Sequence, residues 1–321
     1  MTNIIAFSGK KQAGKSASAN FLFALEMVAL QTTDGAFVDK EGLLRVVSTR
    51  PDVEGGLDIG VLDPCSRRPE VQQWFIETGI WPTIKLYSFA EWLKTIATEV
   101  LGLTDEQVYG TDEQKNSLTH LKWEDMPGVV TQEQVVSLVD GLRVPLSADL
   151  LEVNWPMPLD PGGPDVGGKQ SSVLDQIGVI THSPGRMTGR EVMQHLGTEI
   201  FRKMYYDVWA KACIRKIQKE KVGLAIITDC RFPNEVEAVQ EAGGKVVRLT
   251  RDIFKGEDQH PSETALDPEN FDWDKFDAII DNSELSLAGQ NELVFKQLMS
   301  WGVISDTEDD AYDKTQEEAY V

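Results

Sequence analysis

The chain has 321 residues, of which 41% are hydrophobic, 26% charged and 8% aromatic. That is the balance of a folded globular protein, and it excludes a disordered chain or a disulfide-stapled miniprotein. The 31 Lys and Arg stand against 52 Asp and Glu, a formal net charge of −21, which argues against a duplex-binding surface rich in phosphate contacts. The three cysteines, Cys65, Cys213 and Cys230, form no C-x-x-C pair, so a reducing, cytoplasmic compartment is expected. No apolar run reaches the length of a membrane span or an export signal, so neither is expected.

Taken in chain order, Ile4 to Phe7 is a short β-branched run, followed at once by Gly9-Lys10-Lys11-Gln12-Ala13-Gly14-Lys15-Ser16 and a helical pattern from Ala17 to about Leu30. Further strands are expected at Ile84 to Ser88, Gly223 to Thr228, Lys245 to Thr250 and Ala278 to Asp281, with helices at Glu91 to Leu101, Asn234 to Ala242 and Leu287 to Trp301. Strands alternating with helices predict an α/β fold: a mostly parallel, five-stranded sheet flanked by helices. One domain over residues 1–304 accounts for this alternation.

Two stretches interrupt it. Residues 31–82 hold short β-like pieces, Phe37-Val38 and Leu43 to Val47, and read as an insertion near the first crossover. Residues 126–186 are rich in turn formers, including the run Asp160 to Gly168, and read as a lid-like insertion. The tail, 305–321, carries seven acidic residues and one lysine and is expected to be solvated and mobile.

Gly9 to Ser16 matches G-x-x-x-x-G-K-[ST]. Its glycines let backbone N–H groups converge on a phosphate, the lysine neutralises phosphate oxygens, and the hydroxyl reaches a metal. A helix starting at Lys15 adds the positive end of its dipole. Nucleoside triphosphate binding is therefore expected, with Gly9, Lys11, Ala13, Gly14, Lys15, Ser16 and Ala17 as the donor site. Arg251, just past the strand ending at Thr250, either flanks the adenine or a phosphate or lies at the surface.

Leu224 to Thr228 is an apolar run ending in Asp229, a place where open α/β sheets bind ligands. Asp229, with Ser16, is a candidate magnesium ligand, directly or through water. Cys230 and Arg231 follow it, so the glutamate that would activate water in many mechanical ATPases is absent there. A kinase whose acceptor is an ionised phosphate needs no such base; its problem is repulsion between polyanions, which cations relieve. Lys15, Arg190, Arg202, Arg231, Arg248 and Arg251 are the candidates.

The phosphate loop, then Tyr87-Ser88-Phe89-Ala90 with Leu93-Lys94, then Met187 to Gln194 with Leu196-Gly197-Thr198-Glu199 and Trp209, then Thr228 to Glu235 form an ordered set. It resembles the phage-type deoxynucleoside monophosphate kinases over about half of the chain. The resemblance implies a P-loop kinase fold, ATP as donor, Mg2+, and deoxynucleoside 5′-monophosphates converted to diphosphates for DNA synthesis, often by a homodimer. In a phage-encoded protein this would take place in the host cytoplasm.

The same resemblance implies an acceptor side with Phe89, Lys94, Arg190, Gly197, Thr198, Arg202 and Trp209. Asp229 and Arg231 would face the reacting phosphates, with Glu235 near the substrate. Lys15, Arg190, Arg231 and Asp229 would be the catalytic set. Read without the resemblance, Trp209 is either a base-stacking surface or helix core. Rival readings are a coenzyme-precursor kinase of the same fold and a nucleotide-binding interaction protein with vestigial turnover.

His260-Pro261-Ser262-Glu263 is better read as a loop near the nucleotide than as a hydrolytic triad. The four histidines lack zinc-ligand spacing. Asn282, ending the last strand, reads the adenine edge or caps a turn.

Overall fold

The structure, a computed structural model, describes residues 2–49, 57–130, 180–253, 264–304, 311–312 and 315. In chain order its elements are β1 (Asn3–Ser8), α1 (Lys15–Ala29), β2 (Gly35–Val38), β3 (Leu44–Thr49), β4 (Leu57–Leu62), α2 (Pro69–Glu77), α3 (Ile80–Thr83), β5 (Ile84–Tyr87), α4 (Glu91–Thr95), α5 (Asp105–Tyr109), α6 (Asp112–Lys115), β6 (Leu118–Lys122), β7 (Val129–Val130), β8 (Ile180–Thr181), β9 (Arg186–Thr188), α7 (Gly189–Gln194), α8 (Val208–Glu220), β10 (Leu224–Cys230), α9 (Pro233–Glu241), β11 (Lys245–Leu249), β12 (Ala278–Ile280) and α10 (Leu287–Ser300). Two units divide the chain: Met1–Ala90 with Trp209–Asp258 and Ser262–Val321, and Glu91–Val208 with Gln259–Pro261.

The first unit is built on a five-stranded sheet in the order β12-β11-β1-β10-β5. Its strands are the five expected, and every neighbouring pair is parallel, because each connection crosses over instead of turning back as a hairpin. Successive side chains of a strand point to opposite faces. Ile5, Phe7, Leu224, Ile226 and Val247 therefore meet Phe21, Leu22 and Leu25 of α1 and Val294 and Leu298 of α10. Ile4, Ala6, Ala225, Ile227 and Val246 pack the other way, on Ala210, Cys213 and Ile217 of α8 and Val236 and Val239 of α9. Covering both faces is what allows the unbroken apolar runs.

The expected insertion at 31–82 contains an antiparallel meander, β2-β3-β4, whose Ala36 and Leu44 enter the α1-side core. Asn20 of α1 donates to the Gly42 carbonyl at 2.9 Å. The tail corrects one expectation at its described residues. Ala311 and Thr315 are buried, and Tyr312 stacks on Phe295 at 4.5 Å and meets Phe21 edge-on at 6.0 Å. The aromatic ring supplies the apolar area that holds these residues.

The second unit has its own core of Ala97, Val108, Trp123, Met187, Val192 and Leu196. Capping boxes at Thr104 with Gln107, Thr111 with Gln114, and Thr188 with Glu191 start its short helices, the T-x-x-[EQ] pattern satisfying two orphan N–H groups each. The expected helix from Glu91 to Leu101 begins as α4 and widens to a π-helix at Ile96–Val100; α7 likewise continues as a π-helix over His195–Arg202. Thr95 and Thr98 hydroxyls bond back to the Glu91 and Lys94 carbonyls there, a competition that loosens regular helix. β7 and β8, within the stretch 126–186, pair in parallel. Most of the expected lid-like insertion at 126–186, residues 131–179, lies outside the described residues.

Candidate active site

Each parallel strand runs its carboxyl end to the same edge of the sheet, so Ser8, Ser88, Asp229, Arg251 and Asn282 follow or close strands along one rim. β1 is central, and its last residue, Ser8, leads into the phosphate loop. The loop needs left-handed backbone at Gly9 (φ 152°), Gln12 (φ 59°) and Gly14 (φ 99°). A Cβ on Gly9 would also meet the Leu249 carbonyl oxygen at 2.9 Å. Lys15, the first residue of α1, is 8% exposed and donates from Nζ to the carbonyls of Gly9 and Lys10, each at 2.6 Å. Ala13 and Ala17 are buried, whereas the Ser16 side chain is exposed.

Behind the loop lies a polar cluster of which the sequence points only to Asn282. Asn282 Nδ2 donates to the Ala13 carbonyl (2.8 Å) and to Gln290 Oε1 (2.6 Å). Gln290 Nε2 donates to the Gly14 carbonyl (3.0 Å) and to Ser18 Oγ (2.7 Å), and Ser18 passes its proton to Asn291 Oδ1 (3.1 Å). Asn282 Oδ1 accepts from the Arg251 N–H at 2.8 Å. The asparagine expected to read adenine or cap a turn thus has both donors and its acceptor turned inward. For Gln290 and Asn291 the only sequence signal was two amides at the head of an otherwise apolar helix face.

β1 and β10 are in register with Ser8 opposite Cys230, which sets Asp229 and Arg231 beside the start of the loop. Asp229 Oδ1 accepts from the Phe89 N–H (2.9 Å), and Oδ2 from Ser88 Oγ (2.6 Å) and the Ala90 N–H (3.3 Å). Phe89, expected to touch substrate, buries its ring in the α8-side core; its backbone serves Asp229. Glu235 Oε2 accepts from the N–H groups of Arg231 (2.8 Å) and Phe232 (3.1 Å), so this buried carboxylate shapes the Arg231 turn. Cys230 is fully buried; burial first, and then the charges of Glu235 and Asp229, push its thiol well above the ordinary range, which keeps it protonated and unreactive.

Other cations surround the loop. Lys10 pairs with Asp267 at 2.6 Å, and buried Arg248 donates to Ser8 Oγ at 3.0 Å. Arg251 donates to the carbonyls of Asn282 and Leu285, so it pins the turn after β12, a structural task the sequence did not suggest. Lys11 is half-buried and Trp209 is buried at the start of α8.

In the second unit, Lys94 Nζ lies 5.0 Å from the Tyr109 ring centre. Arg190, expected on the acceptor side, lies at the head of α7 and donates to Asp112 (2.7 Å) and Asn116 (3.0 Å). Exposed ion pairs of this kind are worth about 0–1 kcal/mol, so a phosphate can displace the carboxylate. Gly197 sits in the π-helix against Leu93, whose Cδ2 would be 2.8 Å from any Cβ; Thr198 is exposed and Arg202 half-buried. His260 and its neighbours lie outside the described residues.

Among the described residues no cluster of three His, Cys, Asp or Glu forms a metal centre, and no helix is long and apolar enough to cross a membrane. An exposed Ser16 hydroxyl and the Asp229 carboxylate supply hard oxygen donors of the kind Mg2+ takes when phosphates and water complete its shell. With three donors already on its carboxylate, Asp229 fits an ion better through water than directly.

A parallel sheet whose central strand feeds a G-x-x-x-x-G-K-S loop and α1, with an aspartate and an arginine ending the adjacent strand, defines a P-loop nucleotide kinase. The profile of the deoxynucleotide monophosphate kinase family matches residues 98–287, more than half of the chain, and the chain belongs to that family; its reaction is the phosphorylation of deoxynucleotide monophosphates. The matched stretch includes Asp229 and Arg231 but not the phosphate loop, which is a separate observation. A putative deoxynucleotide monophosphate kinase of Acanthamoeba polyphaga mimivirus is 28% identical over 182 residues, 56% of this chain and 67% of that protein. A deoxynucleoside-5′-monophosphate kinase of Escherichia phage T5 is 31% identical over 85 residues, 24% of this chain and 34% of the phage protein.

Proposed function

We propose that the chain transfers the γ-phosphoryl group of ATP to deoxynucleoside 5′-monophosphates, giving diphosphates for DNA synthesis. The observation that carries this reading is the register of β1 with β10, which sets Asp229 and Arg231 beside the phosphate loop. The loop's N–H groups and Lys15 hold the donor's β- and γ-phosphates. Arg231, on a turn held by Glu235, offers its guanidinium to the charge that spreads over the moving phosphoryl group. The acceptor is already an anion near neutral pH, so Asp229 need not act as a base.

Ser16 and Asp229 would hold magnesium, which neutralises phosphate charge when bound. Arg190, Lys94, Gly197, Thr198 and Arg202 are proposed as acceptor-side residues on the sequence resemblance, as is a homodimer. ATP and magnesium are incubated with each common deoxynucleoside monophosphate, and the products separated by chromatography. Formation of a deoxynucleoside diphosphate is expected; ADP with no phosphorylated acceptor, or no ADP, overturns the reading.

A further inference from the structure

We infer that Gln290 and Asn282 are positioning residues for the donor phosphates: from behind the loop they aim two of its phosphate-binding N–H groups. A peptide bond is planar and trans, so that a carbonyl and the N–H of the next residue point in opposite directions. The Ala13 carbonyl shares its plane with the Gly14 N–H, and the Gly14 carbonyl with the Lys15 N–H. Asn282 grips the first carbonyl at 2.8 Å, and Gln290 shares the second with the Ser18 N–H of α1, each at 3.0 Å. Each grip turns the opposite N–H toward the side where a phosphate would lie.

The direction of both amides is determined chemically. Backbone carbonyls only accept, so each must receive an NH2 group, and flipping either amide would set oxygen against oxygen. Once set, the cluster runs as one chain: Asn282 donates to Gln290, Gln290 to Ser18, and Ser18 to Asn291. Asn282, Gln290 and Ser18 are 0% exposed and Asn291 3%, so water cannot replace a lost partner. A buried network with every member satisfied is rigid, and one with a missing member is costly. The Gln290 amide also occupies the space a side chain at residue 14 would need.

The proposal rests on the reading of this loop as the ATP site. It is tested with Gln290→Met, close in shape and unable to donate, and with Asn282→Ser, which keeps one hydroxyl donor. For each, the KM for ATP, the KM for the acceptor, kcat, and the ATP-dependent rise in melting temperature are measured beside circular dichroism. The expected result is an ATP KM raised roughly tenfold or more for Gln290→Met and less for Asn282→Ser, a reduced ATP-dependent rise, and an acceptor KM changed by less than about twofold. Folded variants with an unchanged ATP KM overturn the proposal. So does an equal loss on both substrates, which is what a merely structural role would produce. Wild-type protein that is not stabilised by ATP overturns both this proposal and the function on which it rests.

Discussion

Lys15 Nζ lies 2.6 Å from the carbonyl oxygen of Gly9, six residues earlier in the same loop. The ammonium and the two carbonyls it touches curl the loop around one charge. A bound triphosphate would compete for that charge with oxygens that carry a full negative charge each. Lys15→Ala should therefore lower kcat/KM by at least about a hundredfold while the far-ultraviolet circular dichroism stays native. Comparable activity in the variant would remove Lys15 from the donor site.

Gly14 combines left-handed backbone with a Gln290 amide in the space of its missing side chain. Gly14→Ala should cost roughly 1–3 kcal/mol from backbone strain alone, before the clash is added. Urea unfolding of the variant reads this loss, and a midpoint equal to wild type would show that the loop relaxes freely.

Asp277 ties β11 to α9: its carboxylate accepts from Gln240 Nε2 (3.0 Å), Lys245 Nζ (3.0 Å) and the Val246 N–H (2.9 Å). Burial by itself would raise its pKa, but these hydrogen bonds and the Lys245 charge outweigh it and hold the carboxyl below its ordinary range. A pKa lowered by folding stabilises above the unfolded value, and the contribution is lost as pH falls through the folded one. Melting temperatures of wild type and Asp277→Asn should thus differ most near neutral pH and converge in acid. A gap that stays constant across the series would assign the effect to packing.

Tyr312 packs its ring on Phe295 and Phe21, which belong to α10 and α1. Tyr312→Ala should destabilise the fold by about 1–3 kcal/mol while leaving kcat near wild type at temperatures where the variant is folded. Unchanged thermal stability would show that the aromatic contact contributes nothing.

Local rules made much of this protein legible. β-branched runs bounded by turn residues marked all five strands of the parallel sheet, and a glycine pattern between strand and helix marked the donor loop, because both signals lie within a few residues of what they specify. The T-x-x-[EQ] starts of the short helices in the second unit are equally local. Phe89 and Arg251 show the limit: the resemblance put Phe89 at the substrate and position after a strand offered Arg251 to the nucleotide, while the core holds the Phe89 ring and turn carbonyls hold the Arg251 guanidinium.

By itself, then, the sequence determined the α/β alternation, the phosphate loop and the class of chemistry, since these follow from backbone propensity and charge at short range. Only the tertiary structure decided that Gln290 lies against Gly14, 276 residues away, and that Asp229 is held by the loop after β5. It also decided that Arg190 shares its charge with Asp112. Such partners meet through sheet order and helix packing, which distribute over the whole chain and leave no local pattern at either residue.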